Sequence, residues 1–210
     1  MKTIVYAVRH GETEWNSMGR QQGHRDSPLT ENGTRQVRQL AEGLARKKIE
    51  ILYCSDLGRA LRTAEIIAAR LSLRVHTDSR LRERHLGILQ GLTKNEFEEM
   101  YPAEAARFDS RDPDYVLPGG ESLRQCLDRC VTGTEEIAAY NAGKNILIVA
   151  HGGVLRSYFH KATGTPITGP RRYSLFNASI NSFRLSNGHW RLDTWGEIAH
   201  LEDLPSLDDL

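Results

Sequence analysis

Two stretches far apart in the chain each bring a histidine to the end of an apolar run. Residues 4–8 (Ile-Val-Tyr-Ala-Val) lead into Arg9, His10 and Gly11, and residues 146–150 (Ile-Leu-Ile-Val-Ala) lead into His151, Gly152 and Gly153. Arginine supplies a fixed cation, and histidine a nucleophile or proton carrier near neutral pH. Arg59 follows a third strand-like run and falls in the first turn of a helical pattern. A helix start is partly positive, which suits an anion. Glu83 stands between Arg82 and Arg84, with His85 next. If the two histidine-ending strands are neighbours in a parallel sheet, His10 and His151 meet with arginines around them. Such a grouping is suited to an anion.

The elements that must position these residues follow from periodicity. The runs 4–8 and 146–150 are short, continuous and β-branched, as in strands buried on both faces. Ligands of open α/β sheets bind beyond the carboxyl ends of the strands, where Arg9, His10 and His151 fall. Gly11 is expected to let the backbone turn tightly and approach a ligand. Residues 17–29 read as a polar loop. Thr30 is an N-cap for an amphipathic helix over 31–47. Strand 49–55 leads to a helix over 57–71, then a short strand over 73–77. Thr93 and Glu96 form a capping-box pattern that opens a short helix to Tyr101. Residues 102–118 read as a helical turn followed by a loop. A long helix then runs to about residue 141, followed by strand 146–150 and a helix over 154–163. Ser186-Asn187-Gly188 joins two strand patterns as a hairpin. The acidic tail from Glu202 is expected to be loosely ordered. Alternating strands and helices imply an α/β fold, with a mostly parallel sheet covered on both faces.

Composition narrows the function classes. The chain has 210 residues, is 39% hydrophobic and carries a net charge of +1. We read residues 1–210 as one domain, since no linker divides them. The near-zero charge argues against bulk-charge binding to nucleic acid or membranes. No apolar run reaches membrane-span length. The three cysteines are an odd count, which argues against a disulfide framework and for a reducing cytoplasm. Cys126 and Cys130 share a helix face and read as buried small hydrophobes. His10, His151 and Glu83 are ligand types for zinc. Adjacent arginines would repel a cation, however, and no H-E-x-x-H spacing occurs. Neither a metal nor another cofactor is expected.

Arg9-His10-Gly11-Glu12 with Asn16 downstream resembles the signature of the histidine phosphatase superfamily, the phosphoglycerate mutase-like proteins. So do Ser55-Asp56-Leu57-Gly58-Arg59-Ala60, Glu83 in a Leu-Arg-Glu context, and His151-Gly152. The resemblance covers essentially the whole chain in the family's order. It implies a three-layer α/β/α fold with one antiparallel strand in a mostly parallel sheet. It also implies a phosphohistidine on His10, with Arg9, Arg59 and His151 on the phosphoryl group and Glu83 as acid and base. Asn16, Gln22, Gly23 and Gly152 are further expected phosphate contacts. Phosphoryl transfer needs these parts: an in-line nucleophile, cations on the equatorial oxygens and an acid for the leaving oxygen. Glu12 reads equally well as a helix-start carboxylate.

A mutase and a phosphatase can share this intermediate. The glycolytic mutases of the family resemble this chain only in the core motifs and carry an adjacent arginine pair after the glutamate. Here the only later pair is Arg171-Arg172, beyond His151. Glu83, Gly87, Gln90 and Gly91 instead resemble the smaller phosphatase branch, many members of which carry glutamate where Gln90 stands. The expectation is a phosphomonoesterase for small phosphorylated metabolites. A phosphoglycerate mutase is the alternative, and a non-catalytic phosphate-binding domain is a third reading. Oligomeric state, including a homodimer, is left open.

Overall fold

The computed structural model describes residues 2–169, 171–201 and 204–208. The elements in order are β1 (Thr3–Arg9), α1 (Glu14–Ser17), α2 (Glu31–Ala45), β2 (Ile51–Cys54), α3 (Gly58–Leu71) and β3 (Val75–Thr77). They continue with α4 (Lys94–Met100), α5 (Pro102–Asp109), α6 (Leu123–Tyr140), β4 (Asn145–Ala150), α7 (Gly152–Thr163), β5 (Ile180–Ser186) and β6 (His189–Glu197). The strands form one sheet in the order β3-β2-β4-β1-β5-β6. β1, β2, β3 and β4 are parallel, and β5 runs against β1. Because β6 is antiparallel to β5, only β5 opposes the common direction. The sheet is therefore mostly parallel with one reversed strand, as the resemblance implies.

Alternation along the strands divides the core into two layers. Val5, Ala7, Ile146, Ile148 and Ala150 face α6 and α7, where Val131, Ile137, Leu155 and Tyr158 meet them. Val8, Leu147, Val149 and Leu52 face α2 and α3, meeting Val37, Leu40, Leu44, Ala64 and Ile67. Each fully buried aliphatic side chain contributes about 1.5–3 kcal/mol of transfer free energy, so both covered faces are needed to hold the sheet. A third, smaller cluster (Leu86, Leu89, Phe97, Ala105, Tyr115 and Leu117) lies under α4 and α5. It meets the 17–29 loop through Gln21 N to Leu92 O at 2.9 Å and Gly91 N to Gln21 O at 2.7 Å. The three cysteines are buried and unpaired. Among the described residues no helix is long and apolar enough to cross a membrane.

The structure departs from the sequence reading at three places. Residues 102–109 form a full helix with Pro102 in its first turn, where proline's fixed φ and missing N–H cost nothing. Residues 14–17 form a short helix capped reciprocally by Thr13 and Asn16. The tail is tied down where it is described: Pro205 O accepts from Asn32 and Gln36, and Leu207 O accepts from Asn177 N. Of the residues expected to be loose, 202, 203, 209 and 210 lie outside the described residues.

Candidate active site

Sheet register brings the two histidines together. β1 and β4 pair in parallel from Ile4 opposite Asn145 to Arg9 opposite Ala150. His10 N donates to Ala150 O at 3.1 Å, so His10 and His151 leave the sheet side by side. Their ring centroids lie 5.3 Å apart at a 59° tilt. His10 and Arg9 are each 3% exposed, Arg59 2% and His151 0%.

His10 is held as one tautomer. Its Nδ1 lies 2.8 Å from Gly11 O, and a carbonyl only accepts, so Nδ1 carries the proton. Nε2 is then the lone pair, and Arg59 Nε donates to it at 3.2 Å. The histidine pKa is held well below its ordinary value, first by burial and then by the Arg59 and Arg9 charges. His10 is thus a neutral imidazole with its nucleophilic nitrogen facing a guanidinium. His151 is pushed down in the same way by burial, then by Arg59, His10, Arg9 and His24. Neither ring nitrogen of His151 has a hydrogen-bond partner among the described residues. Such a buried, unsatisfied group costs roughly 1–3 kcal/mol, a cost that active sites bear for chemistry.

Among the described residues, carbonyls and the Asp26 carboxylate hold the arginines. Arg9 Nη1 donates to Leu175 O. Arg59 Nη1 donates to Arg25 O at 2.9 Å and to Asp26 Oδ1 at 2.7 Å, and Nη2 donates to Gly23 O at 2.8 Å. Asp26 also takes the first N–H groups of α3, from Gly58 at 2.7 Å and Arg59 at 3.3 Å. The anion at the start of α3 is therefore the protein's own Asp26. The helix start fixes Arg59, and the expected ligand role at this point passes to the guanidinium. Asp26 had no sequence signal beyond lying in a polar loop.

Glu83 sits at the start of α7. Gly153 N donates to Oε2 at 3.0 Å, and Arg84 N donates to Oε1 at 2.7 Å. A Cβ on Gly153 would lie 2.2 Å from Oε1, so glycine is what admits the carboxylate. The neighbouring arginines turn elsewhere. Arg82 pairs with Asp56 at 2.6 Å, and Arg84 Nε donates to Glu121 O at 2.9 Å. The backbone of Glu83 is clamped from two sides, by His24 Nε2 at 2.8 Å and Arg129 Nη2 at 3.3 Å, both to Glu83 O.

The remaining expected contacts divide. Asn16 Oδ1 accepts from Thr13 N, Thr13 Oγ1 and, at 3.4 Å, Asn177 Nδ2, which leaves its amide N–H groups as the donors. The Gln22 side chain is held within its own loop. Its Nε2 donates to Thr13 at 2.9 Å and its Oε1 accepts from Ser27 at 3.3 Å, so it braces the loop. Gly23 holds Arg59 through its carbonyl. Glu12 is a helix-start carboxylate, accepting from Thr30 at 2.6 Å and Asn32 at 3.2 Å beside α2. Gly11 approaches that helix as well as the site: a Cβ there would meet Val37 Cγ2 at 2.6 Å and Gly33 O at 2.7 Å. The sequence reading assigned its freedom to a ligand; the structure shows helix packing.

The buried histidines make a stability prediction. Both have folded pKa values below the ordinary 6.5, so the unfolded chain binds more protons as pH falls through that value. The contribution is complete above pH 6.5 and is lost on acidification through the folded values, at about 1.4 kcal/mol per pH unit for each histidine. Urea midpoints should fall steeply from pH 7 to pH 5, and more shallowly in His10→Ala. Equal slopes for the two proteins would contradict the neutral buried His10.

A model of the histidine phosphatase superfamily (branch 1) matches residues 5–198, and the chain belongs to that family. It is 42% identical over 203 residues to phosphoglycerate mutase-like protein 4 of Arabidopsis thaliana, covering 95% of this chain and 87% of that protein. It is 38% identical to the metal-independent phosphoserine phosphatase of the same plant, covering 98% of this chain and 86% of that protein. The structure of YhfR from Bacillus stearothermophilus superposes with a TM-score of 0.88 at 32% identity, covering 95% of this chain and 100% of that one.

Proposed function

We propose that this protein hydrolyses small phosphomonoesters through a phosphohistidine at His10 Nε2. The observation that carries the reading is the His10 geometry: Nδ1 fixed on Gly11 O, and Nε2 open toward the Arg59 guanidinium. A phosphoryl group entering there takes its place between Nε2 and Arg59. Arg9, Arg59, His151 and the Asn16 amide then converge on its oxygens, with the backbone at Gly23 and Gly152 beside them. Glu83 gives a proton to the leaving alcohol, then takes one from the water that cleaves the phosphohistidine. Residues 1–210 act as one catalytic unit. Three buried free cysteines support a reducing compartment such as the cytoplasm.

The mutase reading has support in the name of one Arabidopsis relative, and the phosphatase reading in the name of the other. The arginines favour the phosphatase. Arg171 of the only adjacent pair in the sequence is bound to Asp208 at 2.7 Å, so that pair is already engaged on one side. Phosphoserine and 3-phosphoglycerate are the first substrates to try. Release of inorganic phosphate, together with an acid-labile, base-stable phosphoenzyme, supports the proposal. Isomerisation of 3-phosphoglycerate without phosphate release sinks it in favour of the mutase.

Activity should also survive EDTA. Arg9 and Arg59 supply the positive charge beside His10. Among the described residues, no group of three or more His, Cys, Asp or Glu side chains is placed to hold a metal. Loss of p-nitrophenyl phosphate turnover in chelator, restored by zinc or magnesium, would overturn the arginine-based account.

A further inference from the structure

The groups around the attacking nitrogen form a closed circuit of hydrogen bonds. Arg59 Nε donates to His10 Nε2 at 3.2 Å, and His10 Nδ1 donates to Gly11 O at 2.8 Å. Gly11 N donates to Thr63 Oγ1 at 3.2 Å, and Thr63 Oγ1 donates back to Arg59 O at 2.8 Å. Thr63 closes the loop and is fully buried. It lies one helical turn beyond Arg59 on α3, so the same helix carries the clamp and the group that grips the backbone beside the nucleophile. We propose that Thr63 is a positioning residue, setting His10, just past β1, and Arg59 on α3 in register for in-line attack. The inference rests on the phosphohistidine reading above.

The two peptides that meet at Gly11 are each pinned at both ends. In the peptide before it, His10 O accepts from Asn177 Nδ2 at 3.1 Å and Gly11 N donates to Thr63. In the peptide after it, Gly11 O accepts from His10 and Glu12 N donates to Gln36 Oε1 at 3.0 Å. Thr63 Oγ1 is the acceptor for the Gly11 N–H. Replacing the hydroxyl with a methyl leaves that N–H buried and unmet, so the peptide must rotate to find another acceptor. Gly11 O then shifts relative to His10 Nδ1, and the ring follows. A bland role is a local one: a helical threonine bonding its i−4 carbonyl. That role predicts a loss of stability with unchanged chemistry.

The test compares Thr63→Val, which keeps the shape and removes the hydroxyl, with Thr63→Ser, which keeps the hydroxyl. Single-turnover phosphorylation by p-nitrophenyl phosphate needs no proton for the leaving group and so reads the His10–Arg59 geometry alone. Thr63→Val should slow that step by about 10- to 100-fold with little change in KM, and Thr63→Ser should stay near wild type. In ¹⁵N-histidine spectra, wild type and Thr63→Ser should show His10 as a single Nδ1–H tautomer, and Thr63→Val a mixture. A wild-type rate in Thr63→Val, or equal slowing in both variants, overturns the inference. If Thr63→Val does not fold, an Nε2–H tautomer in the wild-type protein still overturns it. Absence of any phosphohistidine in the wild type is a separate failure, of the proposed function itself.

Discussion

His10→Ala should abolish turnover and the trapped phosphoenzyme together. The expected loss in kcat is roughly 10⁴–10⁶-fold, the scale seen when a covalent nucleophile is removed. On the proposed mechanism no other side chain is in line to take over the attack. Both nitrogens of His151 are buried without partners among the described residues, but its ring leaves the sheet on the neighbouring strand, with its centroid 5.3 Å from that of His10. A phosphoryl group in line with His10 meets His151 from the side, as a donor. The variant should nevertheless still bind phosphate, because Leu175 O still holds Arg9, and Gly23, Arg25 and Asp26 still hold Arg59 when its bond to His10 is lost. The measurement is acid-labile label on quenched protein, alongside the inhibition constant of phosphate. A labelled phosphoenzyme in His10→Ala would place the nucleophile elsewhere, with His151 the first to examine.

The parts of this site that could be read from sequence share one property: they are local. His10 and His151 each end a buried apolar run, and a run that ends in His-Gly names its own position in a parallel sheet. Arg59 was visible because strand 49–55 and helix 57–71 place it at a turn. The missed residues reach the site across long stretches of chain. Asp26 meets Arg59 from 33 positions away, Thr63 meets Gly11 from 52, and Gly153 meets Glu83 from 70. Nothing in a polar loop or a helix interior marks such partners before the fold brings them together. Gln22, expected from the resemblance as a phosphate contact, likewise has loop partners that its sequence position does not announce, Thr13 and Ser27. The helix at 102–109 was under-read because alanines and charged residues give it only a weak apolar stripe.

Glu83→Gln should divide substrates by their leaving group. Phosphorylation of His10 by alkyl phosphates should slow by roughly 10²–10⁴-fold, and phosphorylation by p-nitrophenyl phosphate much less, since nitrophenolate leaves without a proton. The structure sharpens this expectation in two ways. Arg82 and Arg84, which flank Glu83 in sequence, direct their guanidinium hydrogen bonds to Asp56 and to backbone carbonyls. The carboxylate instead accepts two backbone N–H bonds, from Gly153 and Arg84. Both suit the ionised group that activates water in the second half of the cycle. The first half requires a proton, and a dianionic phosphoryl group arriving beside His10 favours its uptake. Glutamine keeps the shape but offers one acceptor oxygen, so it can meet only one of the two N–H groups, which bind different oxygens of the carboxylate; a thermal midpoint of the variant separates that structural cost from the loss of the acid. Burst kinetics separate phosphorylation from hydrolysis of the phosphohistidine, and the second step should slow with every substrate because the same base is missing. Equal slowing of phosphorylation by both substrate types would make Glu83 a structural cap of α7. Two other carboxylates are already engaged elsewhere: Glu12 is bound to Thr30 and Asn32, and Glu121 to Arg129 and His85 N. The acid would then have to come from the substrate or from water.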